Sequence, residues 1–97
     1  MHYLLRLYIT GSTPRSTRAI ENIRGICEDH LKGRYELEVI DIYQHPESAA
    51  EAQIIAAPTL IKKLPAPLRR VIGDLSDHDK IFTGLNISPL PGPGTAD

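Results

Sequence analysis

Ser12, Thr13, Ser16 and Thr17 crowd the stretch after the first apolar run, and such hydroxyls become nucleophiles when a base stands within hydrogen-bond reach. No local base accompanies them, and the Gly-x-Ser-x-Gly pattern that would present a serine on a sharp turn is missing. Cys27 is the single thiol. It excludes an intrachain disulfide framework and a Cys-x-x-Cys pair, and suits a reducing cytoplasm. Spaced helically with Ile20, Ile23 and Leu31, it reads as a small buried hydrophobe rather than a reactive thiol. Asp74, Asp77, His78 and Asp79 are the densest group of ligand-type side chains, but their spacing matches no calcium loop and one histidine supplies no zinc tetrad. Helix capping is the expected role, with Ser76 at the N-cap and Asp79 at the third helical position. His2, His30, His45 and His78 fall in separate segments and are expected at the surface. Lys62, Lys63, Arg69 and Arg70 form a basic patch, read either as a solvated strand edge that discourages aggregation or as a partner-binding surface. These residues point to no enzyme, cofactor or metal.

The chain's overall charge narrows the partners. A net charge of −1 over 97 residues provides no field to hold a polyanion, so nucleic acid is not an expected partner. No apolar run is long enough for a membrane span, and the N-terminus does not read as a signal peptide. A chain of this length makes one domain and buries about 60–65% of its unfolded surface, so self-association is an expected way to cover the remainder.

Three elements must position these side chains in the first half. Residues 3–10 are almost continuously apolar, as in a central strand covered on both faces. Gly11 and Ser12 turn the chain, Thr13 is a good N-cap and Pro14 fits the first helical position, so a helix is expected to about Leu31, where Lys32 and Gly33 stop it. Its buried face is Ile20, Ile23, Cys27 and Leu31. Residues 35–43 follow as a strand, with Tyr35, Leu37 and Val39 alternating against Glu36 and Glu38. Strand, helix and strand of these lengths make a βαβ unit with a parallel pair. A weak alanine-rich helix then opens at Pro46.

The second half is organised around its prolines. Pro58, Pro65 and Pro67 each lack a backbone donor and restrict the residue before them. Residues 59–64 read as a strand. Residues 68–72 read two ways, because Leu68, Val71 and Ile72 share a helical face while Arg69, Arg70, Val71 and Ile72 also alternate as a strand would. Residues 80–87 form a last element. Residues 88–97, with three prolines and two glycines, are expected to be a disordered tail outside a single domain of residues 1–87.

The run Ala57-Pro58-Thr59-Leu60, the run from Leu64 to Ser76 that begins Leu64-Pro65-Ala66-Pro67, and Lys80-Ile81-Phe82-Thr83-Gly84-Leu85 resemble the KaiB family of circadian-clock proteins. The resemblance extends back through Val39-Ile40-Asp41 and Tyr8-Ile9-Thr10-Gly11-Ser12-Thr13-Pro14, over roughly residues 3–87. It implies an α/β fold with a thioredoxin-like βαβ N-terminal half and a cis Pro58. The loop where thioredoxins carry their reactive thiol holds residues 11–16 here, without a cysteine. The C-terminal half is implied to adopt either the family's ground-state arrangement or the thioredoxin-like one, hinged at Pro58, Pro65, Ala66, Pro67, Gly84 and Asn86. In the former, the segment after Pro67 is helical; in the latter, it pairs as a hairpin and residues 77–85 form a helix. Thr83 and Gly84 oppose that helix by about 1.5 kcal/mol relative to alanine, so Gly84→Ala is expected to favour it.

The implied function is that of a non-enzymatic, cytoplasmic clock or clock-like regulator that binds a KaiC-type ATPase ring. Its other implied partners are a KaiA-like protein and, in competition, a SasA-type kinase, with a homo-oligomeric tetramer or dimer as ground state. The resemblance places Glu47, Ala50, Ile54 and Lys62 at the KaiC face, and Glu36, Glu38 and Asp41 nearer a KaiA-like partner. Two positions depart from the family: its triple proline is Pro65-Ala66-Pro67 here, and its Gly-Leu-Asp is Gly84-Leu85-Asn86. A KaiB homologue acting in stress response and a SasA-type sensor domain are the alternatives.

Overall fold

The computed structural model describes residues 2–87, so the expected tail at residues 88–97 lies outside the described residues. Seven elements follow in the order β1 (Tyr3–Ile9), α1 (Pro14–His30), β2 (Tyr35–Asp41), α2 (Pro46–Glu51), β3 (Thr59–Leu64), β4 (Arg69–Ile72) and α3 (His78–Gly84). The strands form one mixed sheet in the order β2-β1-β3-β4, with β1 parallel to β2 and antiparallel to β3, and β4 antiparallel to β3. The peptide bonds before Pro58, Pro65 and Pro67 are all cis.

Local chemistry accounts for the first half. The Thr13 hydroxyl accepts a hydrogen bond from the Ser16 amide at 3.3 Å, and Pro14 opens the helix without wasting a donor. The spacing reading placed the helix within one residue at each end, while β2 stops at Asp41, two residues short of the expected Tyr43. There the Asp41 carboxylate turns the chain by accepting from the Tyr43 and Gly11 amides. The buried stripe of α1 contains Ala19, Ile23, Ile26 and Cys27, with Leu31 at its end and Ile20 half-buried at its margin.

Packing divides the sheet into two unequal faces. On the inner face Tyr3, Leu5, Leu7, Ile9, Leu60 and Val71 meet α1, Ile81 of α3 and the C-cap Leu85 in one core. The other face carries Arg6, Tyr8, Ile61, Lys63 and Arg70, which with Ser48 and Glu51 of α2 and its C-cap Ala52 line an open groove of about 330 Å³. The short α2 buries none of its residues fully.

Residues 59–87 take the hairpin-and-helix arrangement. Val71 pairs with Leu60 and reaches the core, whereas Ile72 faces outward, so the strand reading of residues 69–72 applies and the helical one does not. The expected capping box shifts by one residue. The Asp77 side chain, not Ser76, caps α3 by accepting from the Lys80 amide at 3.1 Å. Ser76 is held in the preceding turn, where its amide donates to the Asp74 carboxylate at 3.2 Å and Leu75 has a φ of 65°. Gly84 ends α3 against β4, and a Cβ there would lie 2.8 Å from Cγ2 of Val71. Alanine at that position therefore gains helix propensity and meets a stiff β-branched side chain at once, a term absent from the propensity reading.

Candidate partner-binding surface

The residues suggested as a contact surface sit mainly on α2 and the segment behind it. His45 precedes the helix without a side-chain cap, Pro46 opens it, and Glu47 and Ala50 are exposed. Its end is well defined. The Gln53 amide donates to the Ala50 carbonyl at 3.1 Å and the Ile54 amide to the Ala49 carbonyl at 2.9 Å, around a left-handed Gln53 with φ 55°. This is the double-bonded helix stop that normally favours glycine and brings an apolar residue back onto the last turn, which leaves Ile54 half-buried. The next residue, Ile55, is 91% exposed. The sequence reading passed over it because Ile54 and Ile55 are chemically identical. The signal that separates them is the helix stop.

Lys62 corrects the basic-patch reading. It lies beside Leu60 on the inner face and is 1% exposed, with its ammonium 3.5 Å from the Asn86 carbonyl beyond α3. It is therefore not an exposed contact in this arrangement; Lys63 is half-buried, while Arg69 and Arg70 are exposed. Burial, helped by the like charge of Arg69, pulls the Lys62 pKa below its ordinary value. An unfolded lysine then binds its proton more tightly than the folded one, so the Lys62 contribution to stability rises with pH between the lowered value and about 10.5, against the opposite contribution of Cys27 above about 9.0. Lys62→Met is expected to stabilise the fold by about 1 kcal/mol at neutral pH and to remove that contribution from the pH dependence. Urea unfolding at neutral and alkaline pH checks both.

The acidic edge strand presents Glu36 and Glu38 exposed and Asp41 half-buried. The Tyr8 hydroxyl, and after it Glu38, which receives Arg6 Nε at 2.9 Å, raise the Arg6 pKa. The four aspartate and histidine side chains around residue 74 do not converge on a point. Asp74 holds the Ser76 amide and pairs with Arg18 at 3.5 Å, and its pKa is lowered chiefly by the Ser76 hydrogen bonds; Asp77 caps α3. His30 departs from the surface expectation. Its ring stands edge-on to Phe82 at 5.0 Å, joining the end of α1 to α3.

At the start of α1 the Thr13 and Ser16 hydroxyls bond to each other and to backbone amides. Thr13 Oγ1 donates to Ser16 Oγ at 2.9 Å, and the Thr10 amide donates to the same oxygen at 3.2 Å. Cys27 lies fully buried on α1, and burial, with a smaller contribution from Glu28, pushes its thiol up to about 12. A pKa about 3 units above the ordinary value leaves roughly a thousandth of the usual thiolate. A disulfide reagent is therefore expected to label native Cys27 on the unfolding timescale, far slower than in denaturant. Equal rates would show the thiol to be accessible.

The KaiB domain family model matches residues 6–87. The chain is 49% identical over 85 residues to the circadian clock oscillator protein KaiB of Rippkaea orientalis, covering 88% of this chain and 82% of that protein. It is 50% identical over 86 residues to the circadian clock protein KaiB3 of Synechocystis, covering 89% and 84%. Among solved structures, the N-terminal domain of Synechococcus elongatus SasA superposes with a TM-score of 0.72 at 21% identity, covering 89% of this chain and 85% of that one. Mitochondrial thioredoxin 3 of Saccharomyces cerevisiae superposes with a TM-score of 0.70 at 14% identity, covering 87% and 76%. At these identities the two structural likenesses establish a thioredoxin-like fold alone.

Proposed function

Because the chain belongs to the KaiB family, we propose that it is a non-enzymatic clock or clock-like regulator that docks on the ring of a KaiC-type ATPase and modulates its ATPase and phosphorylation cycle. The observation that carries the reading is the near-50% identity to clock-named relatives over 85 and 86 residues. The docking surface is α2 with the segment behind it: Glu47, Ala50, Ile54 and the exposed Ile55. Glu36, Glu38 and Asp41, on the opposite edge strand, face a KaiA-like protein, and a SasA-type kinase competes for the ring. The setting is cytoplasmic. Mixing the protein with a purified KaiC homologue and ATP for hours is expected to yield a complex by size exclusion. Absence of a complex with both phosphorylation-mimicking forms of the ring overturns the reading.

The same proposal gives residues 59–87 a second arrangement, populated by an oligomeric ground state and hinged at Pro58, Pro65, Ala66, Pro67, Gly84 and Asn86. A gap of a few kcal/mol suffices for one sequence to hold two packings. Two sets of amide resonances for residues 59–87 against one set for residues 3–43 are expected, in a ratio that Gly84→Ala shifts. Because alanine there meets Val71 in the hairpin arrangement, adding Val71→Ala to Gly84→Ala is expected to move the ratio toward that arrangement. A single set at every temperature overturns the switch.

A further inference from the structure

α2 has six residues, no fully buried side chain, no side-chain cap at its start and no basic residue in its last turn. A helix so short is not stable alone. Its final carbonyls are met from elsewhere. Arg70 of β4 donates from Nη2 to the Ala52 carbonyl at 2.9 Å and from Nη1 to the Gln53 carbonyl at 3.1 Å. The double-bonded stop uses the Ala49 and Ala50 carbonyls, and the fork takes those of the C-cap Ala52 and of Gln53 just beyond it, where the negative end of the helix dipole also favours a cation. The other face of the sheet has the same device. α3 also lacks a basic last turn and ends in the same stop around a left-handed Asn86, whose carbonyl faces the Lys62 ammonium. The guanidinium of Arg70 is placed by pairing of Arg70 with Ile61, itself paired with Arg6 of the central strand. The end of α2 is thus tied, across 17 and 18 residues of sequence, to a strand in the other half of the chain.

We propose that Arg70 is the positioning residue of the partner-binding surface: by forking onto the Ala52 and Gln53 carbonyls it docks α2 on the sheet, and does so only while β4 is paired with β3. This rests on the reading that α2 is the surface that meets the ring. Pairing of β4 thereby sets the presentation of Ala50, Ile54 and Ile55 without β4 itself touching the partner. A guanidinium is required because an ammonium is a point donor and cannot span both acceptors in a fixed fork.

The test begins on the free protein. Arg70→Gln is expected to raise amide exchange at Gln53 and Ile54 about tenfold, the size of losing a charge-assisted pair, and to move the Ala49 and Ala50 carbon shifts toward coil values. Exchange in β1 and α1 stays unchanged, and Arg70→Lys restores less than half of the protection. The same Arg70→Gln protein binds the KaiC-type ring more weakly. Exchange that rises equally throughout the domain overturns the proposal by making Arg70 a general stabiliser. Weaker binding with unaltered exchange overturns it by making Arg70 a direct contact. If the unmodified protein forms no complex, the functional reading falls while the exchange result still decides the role of Arg70.

Discussion

Replacing Leu7 by alanine is expected to lower the unfolding free energy by about 2–5 kcal/mol, a large share of the roughly 5–15 kcal/mol available to a domain of this size. Leu7 is fully buried at the centre of the inner face, on the strand that joins both halves of the sheet. It pairs with Val39 on the parallel side and Leu60 on the antiparallel side, under a helix whose Ala19, Ile23 and Cys27 close the same core. Truncation leaves a cavity that two paired backbones cannot collapse to fill. Urea unfolding should show the midpoint falling with little change in slope. A loss below about 1 kcal/mol would mean that the core is not centred on this strand.

The second large effect belongs to the surface. Ile55→Asp is expected to weaken the complex with a KaiC-type ring by about 1–3 kcal/mol while leaving unfolding of the free protein unchanged. Ile55 is 91% exposed, so a charge there costs the monomer no buried contact, yet it replaces an apolar side chain that a partner would desolvate. Ile54→Asp is expected to weaken binding by a similar amount and also to loosen α2, because half-buried Ile54 is the apolar residue that the helix stop folds back onto the last turn. Titration of both variants against the ring, beside their urea curves, separates contact from support. Unchanged affinity for both would remove this segment from the interface.

Much of this was legible from local chemistry alone. Thr13 and Pro14 start a helix whatever surrounds them, since one supplies the acceptor and the other lacks only a donor that would be idle. Continuous apolarity marked β1 as central, and a 3.6-residue period put Cys27 in the core, because these patterns report burial directly. The motifs also carried the family, since a dozen spaced residues over one domain are far more specific than a short pattern.

What the sequence left open, partners distant along the chain decided. Residues 69–72 fit a helix or a strand equally, and pairing of Val71 with Leu60 over the core selects the strand. Lys62 is polar by type, but the period of β3 turns it inward beside Leu60, where the end of α3 receives its charge. Ser76 reads as the cap of α3, but the chain turns at left-handed Leu75 with the Ser76 amide held by Asp74, and the Asp77 carboxylate takes the cap. Arg70 looked like one more surface cation, and only the fold brings its fork to the carbonyls just past the end of α2, 17 and 18 residues earlier. Propensity and periodicity act within a few residues of chain, whereas a buried charge, a helix end or an ambiguous strand is settled by groups that the sheet brings together.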